Sequence, residues 1–314
     1  MKTRPLGSSG PQVSLAGLGC NNFGGRIDLE ASRRVVHKAL DLGITMFDTA
    51  DGYGNRGGSE RALGEILGPR RKDVVLATKF GVQMDDAGEL KGAARSYVPR
   101  ALEASLKRLK TDWIDLYQIH WPDPKTPIEE TLRALDDAVR QGKVRCIGCS
   151  NFAAWQLVDA QWTSRHHGLT AFVSCQNEYS LLVRDVERDL VPAMQAYGVG
   201  LLPYFPLASG LLSGKYKRGA PVAKGLRFDL MPQFRDRFLT DGNFTTVEAL
   251  EAFARTRGRT LVEVAFGWLA SRPTVASVIA GATRPEQVEE NAAAVGRTLA
   301  AEDLAELDRI TGKA

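Results

Sequence analysis

Several classes of protein are excluded by what this 314-residue chain lacks. It has four cysteines, Cys20, Cys146, Cys149 and Cys175, too few and too scattered for a disulfide framework. It has no strong charge of either sign. Lys and Arg number 41 against 37 Asp and Glu, a formal +4, which is no polybasic footprint for nucleic acid. It has no apolar run long enough to span a membrane: VGLLPYFPLASGLL (199–212) is too short and is broken by prolines. The first residues, MKTRPLGSSG, lack the apolar stretch of a secretory signal, so the expected compartment is the cytoplasm. A G-x-G-x-x-G turn is also missing, since GLGCNNFGG has its glycines at other spacings. Cys146 and Cys149 form a C-x-x-C, but they fall in a strand pattern, where residues three apart face opposite ways. They are expected to be separate thiols, and no metal set is expected.

What is present is the balance of an ordinary globular protein, 44% hydrophobic and 25% charged, with no disordered, collagenous or coiled-coil composition. Short apolar runs read as buried strands: VSLAGLG (13–19), ITMFD (44–48), VVLATK (74–79), DLYQIH (115–120), VRCIGC (144–149), FVSCQ (172–176), GLLPY (200–204) and SVIAG (277–281). Helical stretches lie between them. Ile128, Leu132, Leu135 and Val139 make one apolar stripe, Leu102, Leu106 and Leu109 another, and Leu63, Ile66 and Leu67 a short one. Three capping boxes are expected: Thr126 with Glu129, Thr260 with Glu263, and Thr283 with Glu286.

Strand followed by helix recurs eight times. The strands are continuously apolar rather than alternating, which marks a parallel sheet covered on both faces. The predicted fold is a (β/α)8 barrel forming one domain over residues 1–314, with an open doubly wound sheet as the alternative. Residues 2–15 read as a hairpin ahead of the barrel, and residues 205–245 as a long loop after the seventh strand, the kind of segment that forms lids.

In such a barrel the chemistry gathers at the C-terminal strand ends. Those ends read Asp48, Lys79, His120, Ser150-Asn151, Gln176, Tyr204 and Gly281, with Tyr53 five residues beyond Asp48. A free tyrosine, with pKa about 10, is a poor proton source at neutral pH. An adjacent lysine ammonium held by an aspartate is expected to lower that value, and a histidine beside the phenol could orient a carbonyl oxygen.

At these residues the chain resembles the aldo-keto reductases, over essentially its whole length. The resemblance is carried by FDTADGYGNRGGSERALGEIL, VLATKFG, DLYQIHWPD, KVRCIGCSNF, YFPLASGLLSGKY and IAGATRPEQVEEN. It is most similar to bacterial reductases related to the potassium-channel β subunits. The resemblance implies a catalytic set of Asp48, Tyr53, Lys79 and His120, with Tyr53 the general acid. It implies NADPH as hydride donor, with NADH a second candidate. Ser150, Asn151 and Gln176 match the carboxamide contacts, and Tyr204 matches the aromatic that stacks on the nicotinamide. Pro206, Leu207, Ser209, Lys215 and Arg227 match the stretch along the phosphates. Gly281, Thr283, Arg284, Gln287, Glu290 and Asn291 match the adenosine end. Asn22, Phe80 and Trp121 fall where the family builds its substrate pocket. Phe205 stands where many members have serine, and Gly281 where some branches have lysine.

The leading reading is reduction of a small aldehyde or ketone, with no nucleic-acid or membrane partner. A cofactor-loaded sensor with slow reductase chemistry is the alternative. A Schiff-base lyase using Lys79 is a third reading, which leaves Ser150, Asn151 and Gln176 unexplained.

Overall fold

The computed structural model describes residues 1–312. The chain opens with a two-stranded antiparallel hairpin, β1 (Thr3–Pro5) and β2 (Gln12–Ser14). Strand and helix then alternate: β3 (Ala16–Gly19), α1 (Leu29–Asp41), β4 (Met46–Asp48), α2 (Tyr53–Leu67), β5 (Val75–Phe80), α3 (Val98–Leu109), β6 (Ile114–Ile119), α4 (Ile128–Arg140), β7 (Val144–Ser150), α5 (Ala154–His167), β8 (Phe172–Glu178), α6 (Leu190–Tyr197) and β9 (Gly200–Tyr204). After β9 come two short helices, α7 (Arg227–Leu230) and α8 (Pro232–Phe238), and two full ones, α9 (Asp241–Thr256) and α10 (Leu261–Ser271). The chain ends with β10 (Val278–Gly281), α11 (Pro285–Val295) and α12 (Ala301–Ile310).

Strands β3 to β10 form one parallel sheet in the order β10-β3-β4-β5-β6-β7-β8-β9. The Leu201 amide donates to the Thr274 carbonyl at 2.7 Å, and the Ala276 amide to the Leu201 carbonyl at 2.9 Å, which joins β9 to the chain entering β10. The sheet thus curls into the expected (β/α)8 barrel, with the expected hairpin ahead of it. The run 13–19 is divided: Val13 and Ser14 pair in the hairpin, and only Ala16–Gly19 enters the barrel.

The hairpin plugs the N-terminal end of the barrel. Leu6 and Val13 are fully buried there with Met46, Ala77, Leu116 and Leu202. Gly7 lies against the strands with φ +68°, and a Cβ there would sit 2.4 Å from the Val173 carbonyl oxygen, so only glycine fits. The C-terminal strand ends lie at the opposite end of the barrel from this plug.

Of the three expected capping boxes, Thr260 with Glu263 forms: the Glu263 amide donates to Thr260 Oγ1 at 3.2 Å and the Thr260 amide to Glu263 Oε2 at 2.8 Å. The other two do not. Helix α4 is capped at Pro127, and Thr126 instead donates to Asp123 at 2.8 Å. Helix α11 is capped at Arg284, and the Thr283 amide donates to Gln287 Oε1 at 2.8 Å. In both, a proline at or beside the cap moves the helix start one residue past the threonine.

Candidate active site

The four residues expected to carry the chemistry meet at the C-terminal end of the barrel. Lys79, inward-facing on β5 and 0% exposed, donates to both Asp48 oxygens at 2.9 and 2.8 Å and to the Thr49 carbonyl at 2.9 Å. Its Nζ also lies 3.5 Å from the Tyr53 hydroxyl and 5.0 Å from the Tyr53 ring centre. His120, just past β6, packs edge-on against Tyr53 with ring centres 5.7 Å apart. Gln176 on β8 donates to Asp48 Oδ1 at 2.9 Å across the barrel, so β4, β5 and β8 are tied together at one level.

The turn between Asp48 and Tyr53 is built on β5. The Thr49 amide donates to the Ala77 carbonyl and the Asp51 amide to the Lys79 carbonyl, extending the sheet ladder past the strand end. Beyond Tyr53 the backbone turns left-handed over Gly54, Asn55, Arg56 and Gly57 before α2 resumes. A Cβ on Gly54 would sit 2.3 Å from the Phe23 carbonyl oxygen. Asn55, Arg56, Asn151, Phe205, Ala208 and Ser209 are non-glycine residues with positive φ, and all belong to loops following the barrel strands. Strain of this kind persists only where the surroundings over-determine it, and it gathers at functional sites.

The electrostatics separate the roles. Burial alone would push the Lys79 ammonium down, but Asp48 and Tyr53 outweigh it and hold Lys79 above its ordinary value. His120 is pushed down to about 3 by burial and by the nearby Lys79 charge, so its ring is neutral at any working pH, with a buried Nδ1 that has no hydrogen-bond partner in the protein. Burial raises the Tyr53 phenol; Lys79 offsets part of this and Asp48 adds to it. The ammonium thus lowers the phenol as expected from the sequence, but burial outweighs it, because the same pocket that brings Lys79 close also removes water from the phenol.

The expected carboxamide contacts form a connected set. Ser150 donates to the Gln176 carbonyl at 2.9 Å, Asn151 Nδ2 donates to the His120 carbonyl at 2.9 Å, and the Tyr204 hydroxyl donates to Asn151 Oδ1 at 2.8 Å. Pro206, Leu207 and Ser209 follow β9 in the loop. Arg227 lies over the rings of Phe205 (4.5 Å) and Phe234 (5.9 Å). Burial depresses Lys215, and the positive charges of Arg26, Arg227 and Arg284 depress it further. These four cations come from three separate segments of the chain. Beyond β10, Thr283 and Gln287 are bonded to each other, Arg284 is exposed, and Glu290 and Asn291 follow one turn along α11.

Of the three residues expected around a substrate, Phe80 and Asn22 are engaged by partners within the protein. Phe80 is fully buried and stacked on Tyr117 at 4.7 Å, because Lys79 faces into the barrel and the next residue must face out. Asn22 donates to the Ala282 carbonyl at 3.3 Å, beside Gly281. Trp121, next to His120, is 55% exposed, its ring nearly parallel to the His120 ring at 6.5 Å. The sequence reading missed Arg26, whose guanidinium donates to the Gly225 carbonyl at 3.2 Å and ties the loop after β3 to the long loop. It also missed Asp51, a buried carboxyl inside the Asp48–Tyr53 turn. An aspartate two residues before the tyrosine was a visible signal for the second; nothing local marks the first.

A parallel barrel with a buried lysine–aspartate pair beneath a tyrosine and a neutral histidine is the architecture of a carbonyl oxidoreductase. The chain belongs to the aldo/keto reductase family, whose model matches residues 16–311. It is 37% identical to an uncharacterized oxidoreductase, YrpG, of Bacillus subtilis, with 97% of this chain and 94% of that protein aligned. It is 36% identical to a probable voltage-gated potassium channel subunit beta of Arabidopsis thaliana, over 94% and 91% of the two chains. It is 34% identical to an L-glyceraldehyde 3-phosphate reductase of Escherichia coli K12, over 98% and 92%. The protein is an oxidoreductase of a family that acts on small carbonyl compounds with nicotinamide cofactors. Among the described residues, no helix is long and apolar enough to cross a membrane.

Proposed function

We propose that the protein reduces an aldehyde or ketone to its alcohol with NADPH, with Tyr53 as the proton donor. The observation that carries this reading is the Lys79 ammonium, sealed from water, clasped by Asp48 and 3.5 Å from the Tyr53 hydroxyl. Tyr53 keeps its proton in the resting site, because burial holds the phenol above its ordinary value. A carbonyl oxygen that gains electron density is a far stronger base and draws that proton across. Lys79 then stabilises the phenolate, and Asp48 keeps the ammonium in place. His120, neutral, offers a hydrogen bond to the carbonyl oxygen without competing as an acid.

The residues present fit the dinucleotide. Ser209 Oγ, the Tyr216 hydroxyl and Arg227 Nε are buried polar atoms with no partner in the protein, all on the long loop. Together with Lys215, Arg26 and Arg284 they suit a chain of phosphates, Arg284 suiting the 2′-phosphate. When bound, the reduced nicotinamide supplies the hydride. Ser150, Asn151 and Gln176 would hold its carboxamide and Tyr204 its ring face. The cysteines are all free thiols, which supports a reducing compartment such as the cytoplasm.

The test is Tyr53→Phe assayed by NADPH absorbance on a panel of aldehydes that includes glyceraldehyde 3-phosphate. Turnover should fall by roughly 10²–10⁴-fold, the worth of a positioned acid, while NADPH binding followed by fluorescence stays near wild type. A variant that keeps most of its rate refutes the assignment.

A further inference from the structure

Asp51 is 1% exposed, and neither carboxyl oxygen has a hydrogen-bond partner among the described residues. The Gly52 amide is near enough to favour the ionised form somewhat, but neither oxygen meets hydrogen-bond geometry with it. The neighbouring charges are already committed. On α2, Glu60 accepts Thr78 Oγ1 and Arg108 Nε, both at 2.6 Å. Arg108, from α3, is thereby paired with Glu60 and also bonded to Ser105 at 3.2 Å. On β5, Lys79 is bound by Asp48. The remaining titratable neighbours are phenols, Tyr97 ahead of α3 and Tyr117 on β6, and the Tyr117 hydroxyl is itself buried without a partner. An ionised carboxylate in a pocket with no free cation, and with only the Gly52 amide nearby, costs far more than a neutral acid.

The turn carrying this carboxyl joins two residues of the proposed catalytic set. The Asp51 amide is bonded to the Lys79 carbonyl at 3.0 Å, and the Tyr53 amide to the Ala50 carbonyl at 3.2 Å. Drawing the Asp51 side chain out to water would break the first of these bonds and release the segment that places the phenol.

We propose that Asp51 is a positioning residue that fixes the Tyr53 turn as a neutral acid, and that losing its proton to solvent base frees the turn and switches the site off on the alkaline side. The proposal rests on the reading of Tyr53 as proton donor. In line with the geometry, burial and then the Glu60 charge push Asp51 up to about 8, with Arg108, the Gly52 amide and Lys79 offsetting part of the rise. Tyr53 and Lys79 are held above ordinary values of 10.0 and 10.5 and His120 near 3, so none of these three changes charge between pH 6 and pH 9.

The experiment is kcat against pH at saturating NADPH for wild type, Asp51→Asn and Asp51→Leu, with thermal unfolding of each over the same range. In wild type the neutral fraction, and kcat with it, should fall roughly tenfold from pH 7 to pH 9. Asp51→Asn keeps the shape of the neutral acid and cannot ionise, so the alkaline fall should vanish. Asp51→Leu should lower kcat at every pH, by up to about 10²-fold for a misplaced acid, and asparagine should rescue most of that loss. The unfolding data need no activity and so separate this idea from the Tyr53 assignment. A carboxyl whose pKa is higher in the folded than in the unfolded state costs stability as pH rises from the unfolded to the folded value. Asp51→Asn should therefore gain melting temperature relative to wild type between pH 4 and pH 8 and level off above. Parallel melting curves, or an unchanged alkaline fall in the asparagine variant, overturn the proposal. Should neither variant fold, infrared difference spectra of wild type between pH 7 and pH 9 decide it: the loss of a protonated-carboxyl stretch supports the proposal, and its absence overturns it.

Discussion

Arg284 shows how much one residue's setting decides. It sits at the N-terminal cap of α11, largely exposed, and its nearest carboxylate is Glu286 at 3.8 Å, so no tight ion pair holds it. A helix N-terminus already favours an anion, and the guanidinium adds a planar donor pair suited to a phosphate monoester. Arg284→Ala should weaken NADPH by about 1.5–3 kcal/mol, the worth of a hydrogen bond to a charged group, and leave NADH nearly unchanged. Titration of both cofactors at low ionic strength checks this, and equal losses would mean that Arg284 does not read the 2′-phosphate. Position along the chain singled out Asp48, Lys79 and His120, because each sits at or just beyond a strand end, whereas Arg284 came only from the family resemblance. Phe80 and Asn22 could not be placed that way. One is turned outward by strand alternation, and the other is drawn to β10, its neighbour in the closed barrel but remote in sequence.

At the scale of elements, the segment between β9 and α9 was legible as an insertion but not in its internal order. It holds two short helices, and its buried residues Leu211, Leu212, Tyr216, Phe228 and Phe238 are too irregularly spaced to show a helical or strand period. They pack the loop down at both ends. Lys217 is paired with Glu251, and Arg218 with Glu248 and Asp241, which pins that stretch to α9. The piece around Lys224 to Arg227 has less support. The Arg26 bond to the Gly225 carbonyl is exposed, and Arg26 and Arg227 are like charges close enough to depress Arg227, after burial. Bound phosphates would relieve that repulsion through charge-assisted hydrogen bonds. Limited trypsin digestion should therefore cut the cofactor-free protein first at the exposed Lys224, ahead of Lys217 and Arg218. Saturating NADPH should slow that cut strongly, and release from under the loop would then limit turnover. Equal cleavage with and without NADPH would show that the loop does not close over the cofactor.

At the scale of the whole molecule, the barrel separates stability from chemistry by putting them at opposite ends. The eightfold strand–helix repeat made the architecture readable, but its closure depends on Leu201 meeting Thr274 and Ala276, a long-range pairing with no local signal. The N-terminal end is sealed by the hairpin, whose Arg4 guanidinium reaches the carbonyls of Ala270, Arg272 and Val275. Leu6 enters the barrel floor with no exposed surface and packs in the cluster of Val13, Met46, Ala77, Leu116 and Leu202. The backbone around it cannot collapse inward, since Gly7 already lies in contact range of the Val173 and Gly198 carbonyls. Leu6→Ala should therefore leave a cavity and cost about 2–5 kcal/mol of stability. Asp48, Lys79 and Tyr53 lie at the far end of the strands, tied by their own hydrogen bonds, so kcat of the folded fraction should stay at the wild-type value. Denaturant unfolding with activity measured well below the midpoint checks both halves. A variant of unchanged stability would show that the hairpin is not part of the core, and one with full stability but lost activity would mean that the two ends of the barrel are coupled.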